Sequence, residues 1–146
     1  MKLHRPSSND FAEITTVWEA SVRATHTFLS EEDIAFFRPL VLNEYLKNVN
    51  LYCLKDEEGA IIAFMGIAEN NLEMLFIHPD QRGKGLGKYL VNYATTQLGI
   101  DSVDVNEQNE QAVGFYYKMG FEVVSRDETD GMGKPFPILH LRLKDI

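Results

Sequence analysis

The stretch from Leu72 to Leu98 constrains the fold most, because three kinds of pattern follow one another in it. The apolar run Met74–Ile77, bounded by turn residues, is typical of a buried strand. Residues 80–88 then read DQRGKGLGK, with three glycines alternating with longer residues and three cations among them. Beyond them, apolar residues recur at helical spacing until Gly99. The sequence therefore predicts a strand, a glycine-rich loop and a helix in succession.

Such a loop favours a phosphate ligand. It directs backbone N–H groups and the positive end of a helix at one point, and glycine lets a phosphate approach the backbone closely. A Walker loop needs Ser or Thr after Gly-Lys, but Gly85 follows Gly83-Lys84. The dinucleotide fingerprint needs a third glycine where Leu90 stands. The pattern therefore indicates a pyrophosphate loop of another kind and disfavours an ordinary nucleotide-binding protein.

The composition limits the class of protein further. A chain of 146 residues suits one domain, spanning 1–146, and its net charge of −8 argues against a nucleic-acid partner. The chain contains neither a signal-peptide core nor an apolar run long enough to span a membrane. Cys53 is the only cysteine, so no intrachain disulfide can form. Together these features predict a cytoplasmic protein with no membrane association.

The remaining patterns alternate between strand and helix, as in an α/β protein. Helices are predicted over 10–25, 30–45, 86–98 and 109–119, and Pro39 should kink the second helix or restart it. Strands are predicted over 2–5, 51–54, 60–68, 74–77, 102–105, 121–126 and 138–143. A helix connects strand 74–77 to strand 102–105, so these two should lie parallel.

Two motifs together resemble the GNAT N-acetyltransferase superfamily. The first is Arg82-x-x-Gly85-x-Gly87, and the second is Asn109-x-x-Ala112-x-x-Phe115-Tyr116-x-x-x-Gly120-Phe121. Three longer segments are similar to the narrower YjaB-type bacterial acetyltransferases, and they lie at 24–30, 105–116 and 133–137. The resemblance implies the GNAT fold, a mixed and strongly twisted central sheet with helices on both faces. It also implies a V-shaped splay between the central parallel strands, which hold Leu75 and Val103.

The same resemblance implies the reaction and its co-substrate. An acetyl group would move from acetyl-CoA to a primary amine by direct attack in a ternary complex, without a metal. A backbone N–H near Phe76 would stabilise the oxyanion, and the pyrophosphate would rest on the loop N–H groups. The residues expected to bind the cofactor are Leu75, Phe76, Ile77, Arg82, Gly83, Lys84, Gly85, Leu86, Gly87, Lys88, Asn109 and Tyr116.

Three residues are candidates for proton transfer. Tyr116 matches the family tyrosine that faces the sulfur, and a phenol can protonate a departing thiolate. Its spacing alone would equally suit a core aromatic residue. Glu73, which precedes the cofactor strand, is the candidate base, and His26 is the alternative. The four histidines lack the spacing of metal ligands, so no metal site is predicted.

Several alternatives stay open. The chain could instead be a non-catalytic acyl-CoA binding or sensing module. The acceptor could be a small molecule or a protein amine. Trp18, Phe28 and Phe36 could wall its pocket, although their pattern favours packing in the core. The oligomeric state is open between monomer and homodimer.

Overall fold

A computed structural model describes residues 2–144. Its strands form one seven-stranded sheet in the order β1-β2-β3-β4-β5-β7-β6. All neighbours are antiparallel except β4 and β5, which confirms the predicted parallel pair. The strands are β1 (Leu3–His4), β2 (Asn50–Lys55), β3 (Ile61–Ala68), β4 (Asn71–Ile77), β5 (Ser102–Asn106), β6 (Phe121–Asp127) and β7 (Ile138–Leu143).

Within residues 2–144, four α-helices flank the sheet. They are α1 (Phe11–Thr25), α2 (Glu31–Leu40), α3 (Leu86–Gln97) and α4 (Glu110–Lys118). Ser30 caps α2 as its sequence suggests, because its hydroxyl accepts a hydrogen bond from the Asp33 N–H at 3.0 Å. At Pro39, where a kink or a restart was predicted, the helix changes type, since a wider π-helical turn continues from Val41 to Tyr45. No helix within residues 2–144 is long and apolar enough to cross a bilayer.

The helices bury a separate apolar layer on each face of the sheet. One layer, centred on Leu90, Val103 and Leu141, lies under α3 and α4. The other, which includes Ile14 and Phe64, lies under α1 and α2. Strand β4 serves both layers because successive side chains point to opposite faces. Leu75 and Ile77 pack into the first layer, whereas Met74 and Phe76 pack into the second.

The sheet opens between its two parallel strands. Backbone pairing of β4 with β5 is confined to Asn71 with Ser102 and Leu72 with Val103. Residues 74–77 therefore pair with β3 on one side only. The His78 N–H donates to the Ile62 carbonyl at 2.8 Å, and N–H direction alternates along a strand. It follows that the N–H groups of Leu75 and Ile77 face the opening.

Candidate active site

The glycine-rich loop meets α3 at a left-handed residue. Gly83 and Gly85 have φ angles of +78° and +79°, a conformation that side chains with a Cβ rarely adopt. Gly85 is the N-cap of α3, and the first bond of the helix runs from the Tyr89 N–H to the Gly85 carbonyl at 3.0 Å. The N–H groups of 86–88 thus have no partner within the helix, which makes this end suitable for an anion.

A cleft of about 290 Å³ lies between the opened strand, this loop and α4, and we call it the basic cleft. Eleven of the twelve predicted cofactor residues line it. The twelfth, Lys84, does not, and its ammonium donates to Gln81 Oε1 at 3.0 Å. Among the described lining residues, Arg82 and Lys88 are the cationic ones and there is no carboxylate. At the loop, Arg82 also donates to Gln111 Oε1 on α4 at 2.5 Å.

Tyr116 is buried in the wall of the basic cleft, with 4% of its surface exposed. Its ring packs edge-on against Phe115 and Phe121, with centroids 5.2 and 5.9 Å away. No hydrogen bond among residues 2–144 involves its hydroxyl, yet no buried side-chain polar atom there lacks a partner. The hydroxyl therefore faces the open space of the cleft. Burial raises the pKa of the Tyr116 phenol, which keeps it protonated.

His26 caps the end of α1 and lines the basic cleft, with 7% of its surface exposed. The Thr25 hydroxyl donates to the Ser21 carbonyl at 2.8 Å, so it accepts from His26 Nδ1, also at 2.8 Å. This network assigns the proton to Nδ1 and leaves a lone pair on Nε2. Burial lowers the pKa of His26 to about 4, so the ring is neutral at pH 7 and a weak proton acceptor.

A second space, of about 430 Å³, lies on the α1–α2 side of the opening, and we call it the acidic cavity. Six Trp, Tyr and Phe residues line it, namely Trp18, Phe28, Phe37, Tyr45, Phe76 and Phe136. Its carboxylates are Glu73, Asp104 and Asp130, and no described lining residue is Lys or Arg. His26 and Phe76 line both spaces, so the basic cleft and the acidic cavity meet at these two residues.

Of the two candidate bases, His26 lies beside the cofactor residues in the basic cleft, whereas Glu73 does not. Glu73 is exposed, lines the acidic cavity and is absent from the wall of the basic cleft. It also lines a smaller neighbouring pocket with Tyr45 and Met74. Two of the predicted wall residues, Trp18 and Phe28, line the acidic cavity, but Phe36 does not. Phe36 lies instead outside it, with the Lys134 ammonium 4.3 Å from the centre of its ring.

Asp104, Asp130 and Phe136 are among the lining residues of the acidic cavity that were not predicted. Asp104 alternates with the buried Val103 and Val105, so the strand pattern shows which face it occupies but not what covers that face.

No group of His, Cys, Asp and Glu within residues 2–144 is arranged to hold a metal ion.

A parallel strand pair that opens beside a glycine-rich helix N-terminus, with backbone N–H groups left free, suits a ligand that carries both amides and a phosphate, as the resemblance to the GNAT superfamily implies. Residues 25–136 match the acetyltransferase (GNAT) domain family. The chain is 40% identical over 141 residues to the peptidyl-lysine N-acetyltransferase YjaB of Salmonella typhimurium, covering 97% of each protein. It is equally identical, over 141 residues, to YjaB of Escherichia coli, covering 97% of this chain and 95% of that protein.

Solved structures agree with these sequence comparisons. The solution structure of the apo form of YjaB from Escherichia coli superposes with a TM-score of 0.89 at 38% identity, covering 99% of this chain and 98% of that one. The PaiA N-acetyltransferase of Thermoplasma acidophilum, solved with coenzyme A, gives 0.72 at 25% identity, covering 97% and 98%. The chain belongs to the GNAT acetyltransferase family. It is an N-acetyltransferase that takes its acetyl group from acetyl-CoA.

Proposed function

We propose that the acceptor is the side-chain amine of a lysine in a peptide or protein, and that it enters through the acidic cavity. The observation that carries the proposal is the separation of charge between two spaces that meet at His26 and Phe76. Cations line the side that suits the pyrophosphate of the cofactor, whereas carboxylates and aromatic rings line the other. An ammonium on an apolar stem matches that second lining. The names of the relatives YjaB support the same acceptor.

The proposed reaction is a direct attack of the amine on the thioester carbonyl. The N–C bond forms and the C–S bond breaks, the amine loses one proton, and the thiolate gains one. Cys53 has no part in it, because it is fully buried and burial raises the pKa of its thiol to about 11. A buried, unpaired cysteine also suits the cytoplasmic location that we propose.

Glu73 is the base in this proposal. Its exposed carboxylate lies in the wall of the acidic cavity, where it can receive the proton of the amine directly or through water. His26 lacks the basicity of an ordinary histidine, because burial lowers its pKa to about 4. We assign it instead to accept a hydrogen bond from the attacking amine through the lone pair on Nε2.

The oxyanion and the leaving thiolate have separate donors. The N–H groups of Leu75 and Ile77 face the opening of the sheet, where they can donate to the developing oxyanion. These two residues flank Phe76, and the resemblance to the GNAT superfamily implied an oxyanion donor near Phe76. Tyr116 supplies the hydroxyl for the thiolate, because it is protonated and has no competing hydrogen bond among the described residues.

The proposal is tested by comparing amines as acceptors. The substrates are a blocked peptide with one free lysine, free lysine, spermidine and a peptide whose only amine is its N-terminus. Free thiol release gives the rate, and mass spectrometry locates the acetyl group. We expect the largest kcat/KM for the blocked lysine peptide, with initial-rate patterns that intersect as for a ternary complex. Preference for spermidine or for the N-terminal amine would contradict the proposal.

A further inference from the structure

His140 joins three strands on the same side of the sheet as the acidic cavity. Its Nδ1 lies 2.6 Å from Asp104 Oδ1 on β5, and its Nε2 lies 2.7 Å from Asp127 Oδ2 at the end of β6. Both hydrogen bonds require an N–H on each ring nitrogen, which only the imidazolium has. The bond to Asp127 is the main reason why the pKa of His140 lies above its ordinary value, with Asp104 adding to it.

The two carboxylates connect His140 to the acidic cavity in different ways. Asp104 lines the cavity, and its second oxygen accepts from Asn71 Nδ2 on β4 at 3.0 Å. Asp127 does not line it, but it is the last residue of β6 and directly precedes residues 128–137, which we call the cover loop. The cover loop supplies four lining residues of the cavity, namely Asp130, Gly131, Met132 and Phe136.

The cover loop rests on the helices at its other end. The Phe136 ring lies 5.7 Å from Phe28 and 6.3 Å from Phe37, measured between centroids. The Lys134 ammonium lies 3.7 Å from Asp33 Oδ1 on α2. The loop therefore spans the acidic cavity between two attachments. One consists of apolar and ionic contacts to α2 and to the segment before it, and the other is the bond between Asp127 and His140.

Other charged groups near His140 have partners of their own. Arg142, two residues along β7, lies 3.6 Å from Asp101 Oδ2. On β6, Arg126 binds Glu107 at 2.6 Å, and Ser125, which pairs with His140 in the sheet, is uncharged. On β4, Glu73 is connected to these residues only through Asn71, whose Nδ2 donates to Glu73 Oε2 at 3.3 Å. Asp104 and Asp127 are thus the two charged groups that pair with the His140 ring.

We propose that His140 is a positioning residue for the acceptor, which as an imidazolium fixes Asp104 in the cavity wall and anchors the cover loop through Asp127. This inference rests on the proposed function, because it takes the acceptor to be an amine bound in the acidic cavity. A neutral ring can donate to only one carboxylate and turns a lone pair toward the other. One carboxylate must then move, and either movement alters the cavity.

The direction of the pH effect follows from the raised pKa. The two hydrogen bonds are intact below the ordinary histidine value and are lost as pH rises through the higher folded value. Acceptor binding should therefore weaken on the alkaline side of about pH 6.5. A lysine ammonium with its pKa of about 10.4 does not titrate in that window. The acceptor's own ionisation therefore cannot produce the effect.

Nuclear magnetic resonance tests the inference without relying on activity. The full chain is titrated from about pH 6 to about pH 9, and the His140 ring and the amides of the cover loop are followed. We expect the loop amides to shift with the same midpoint as the ring. Asp127→Asn should lower that midpoint, because it removes the stronger anionic partner. Asp101→Asn is the matched control, since it removes the same charge from a partner of Arg142 and should leave the midpoint unchanged.

Kinetics with the blocked lysine peptide supply the second test. We expect the acceptor KM to rise roughly tenfold across the titration, as for the loss of one charge-assisted hydrogen bond. His140→Gln should hold that KM at its high value at every pH, and the KM for acetyl-CoA should not change in either case. Loop amides that do not follow the ring would overturn the inference, as would an acceptor KM in an active enzyme that is independent of pH. Absence of lysine acetylation would instead refute the proposed function, and the resonance titration would still decide the role of His140.

Discussion

Replacing Tyr116 with phenylalanine separates the two roles that this residue could have. The change deletes the hydroxyl and keeps the ring that packs between Phe115 and Phe121. The hydroxyl makes no hydrogen bond within residues 2–144, so its removal breaks no intramolecular bond. We therefore expect the free energy of unfolding to change by less than about 0.5 kcal/mol. Binding of coenzyme A should also stay close to the wild-type value.

The expected loss of turnover follows from the acidities of the two groups. General acid catalysis contributes about 10²- to 10⁴-fold to the rate. A thiol has a pKa of about 8.5 and a phenol about 10, and burial raises the pKa of Tyr116 further. Complete proton transfer to the thiolate is therefore uphill, so the hydroxyl acts chiefly as a hydrogen-bond donor in the transition state. We expect Tyr116→Phe to lower kcat about a hundredfold, which corresponds to about 2.7 kcal/mol.

The assay compares acetyl-CoA with an acetyl thioester whose thiol is more acidic. Free thiol release is measured for wild type, for Tyr116→Phe and for Tyr117→Phe, the control on the same helix, whose side chain is 49% exposed. The ratio of wild-type to variant turnover should be smaller for the more acidic thiol, because that thiolate needs less stabilisation. A loss that is equal for both donors would assign the hydroxyl to positioning. Turnover equal to wild type on both would refute the reasoning and leave Tyr116 as a core residue.

Three further predictions concern the loop and the two candidate bases. Gly85→Ala should weaken coenzyme A binding in calorimetry, whereas Gly59→Ala, which strains a turn of similar φ away from the cleft, should only lower stability. Glu73→Gln should lower turnover about a hundredfold, with the KM for acetyl-CoA unchanged. As pH falls from about 6.5 to 4, the free energy of unfolding of wild type should decrease by on the order of 3 kcal/mol more than that of His26→Gln, as unfolding experiments would measure. The reason is that in this range His26 binds a proton only when the protein is unfolded.

The parts of the site that the sequence predicted depend on local chemistry. A left-handed residue at the start of α3 requires glycine, so Gly85 marks the loop directly. The parallel pairing of β4 and β5 follows from the helix that connects them. Tyr116 was predicted through a motif and not through its spacing, because a buried ring on a helix face has the same spacing whether or not its hydroxyl is used.

The acidic cavity could not be predicted because its parts come together only through the sheet. Asp104, on β5, and Phe136, in the cover loop just before β7, lie on opposite sides of α4 in the sequence, and the pairing of β5 with β7 brings them together. Asp130 is similar to an ordinary turn residue, since one carboxylate oxygen accepts from the N–H groups of Met132 and Lys134, both at 2.9 Å. Lys84 illustrates the opposite case, in which a residue was predicted for the site but lies outside the cleft. The sequence predicted that this loop cation would contact the cofactor, but its ammonium donates to Gln81 instead.

The opening of the sheet explains why this fold holds a site for two substrates. If β4 and β5 stayed paired beyond Leu72 and Val103, the ladder would satisfy the N–H groups of Leu75 and Ile77 and would separate the two faces. The strands diverge instead, which leaves those donors without a strand partner and lets the basic cleft meet the acidic cavity at His26 and Phe76. In the mechanism that we propose, an amide-bearing cofactor recovers the lost hydrogen bonds. The divergence that weakens the sheet would then supply both binding energy for the acyl donor and the passage through which the acceptor reaches it.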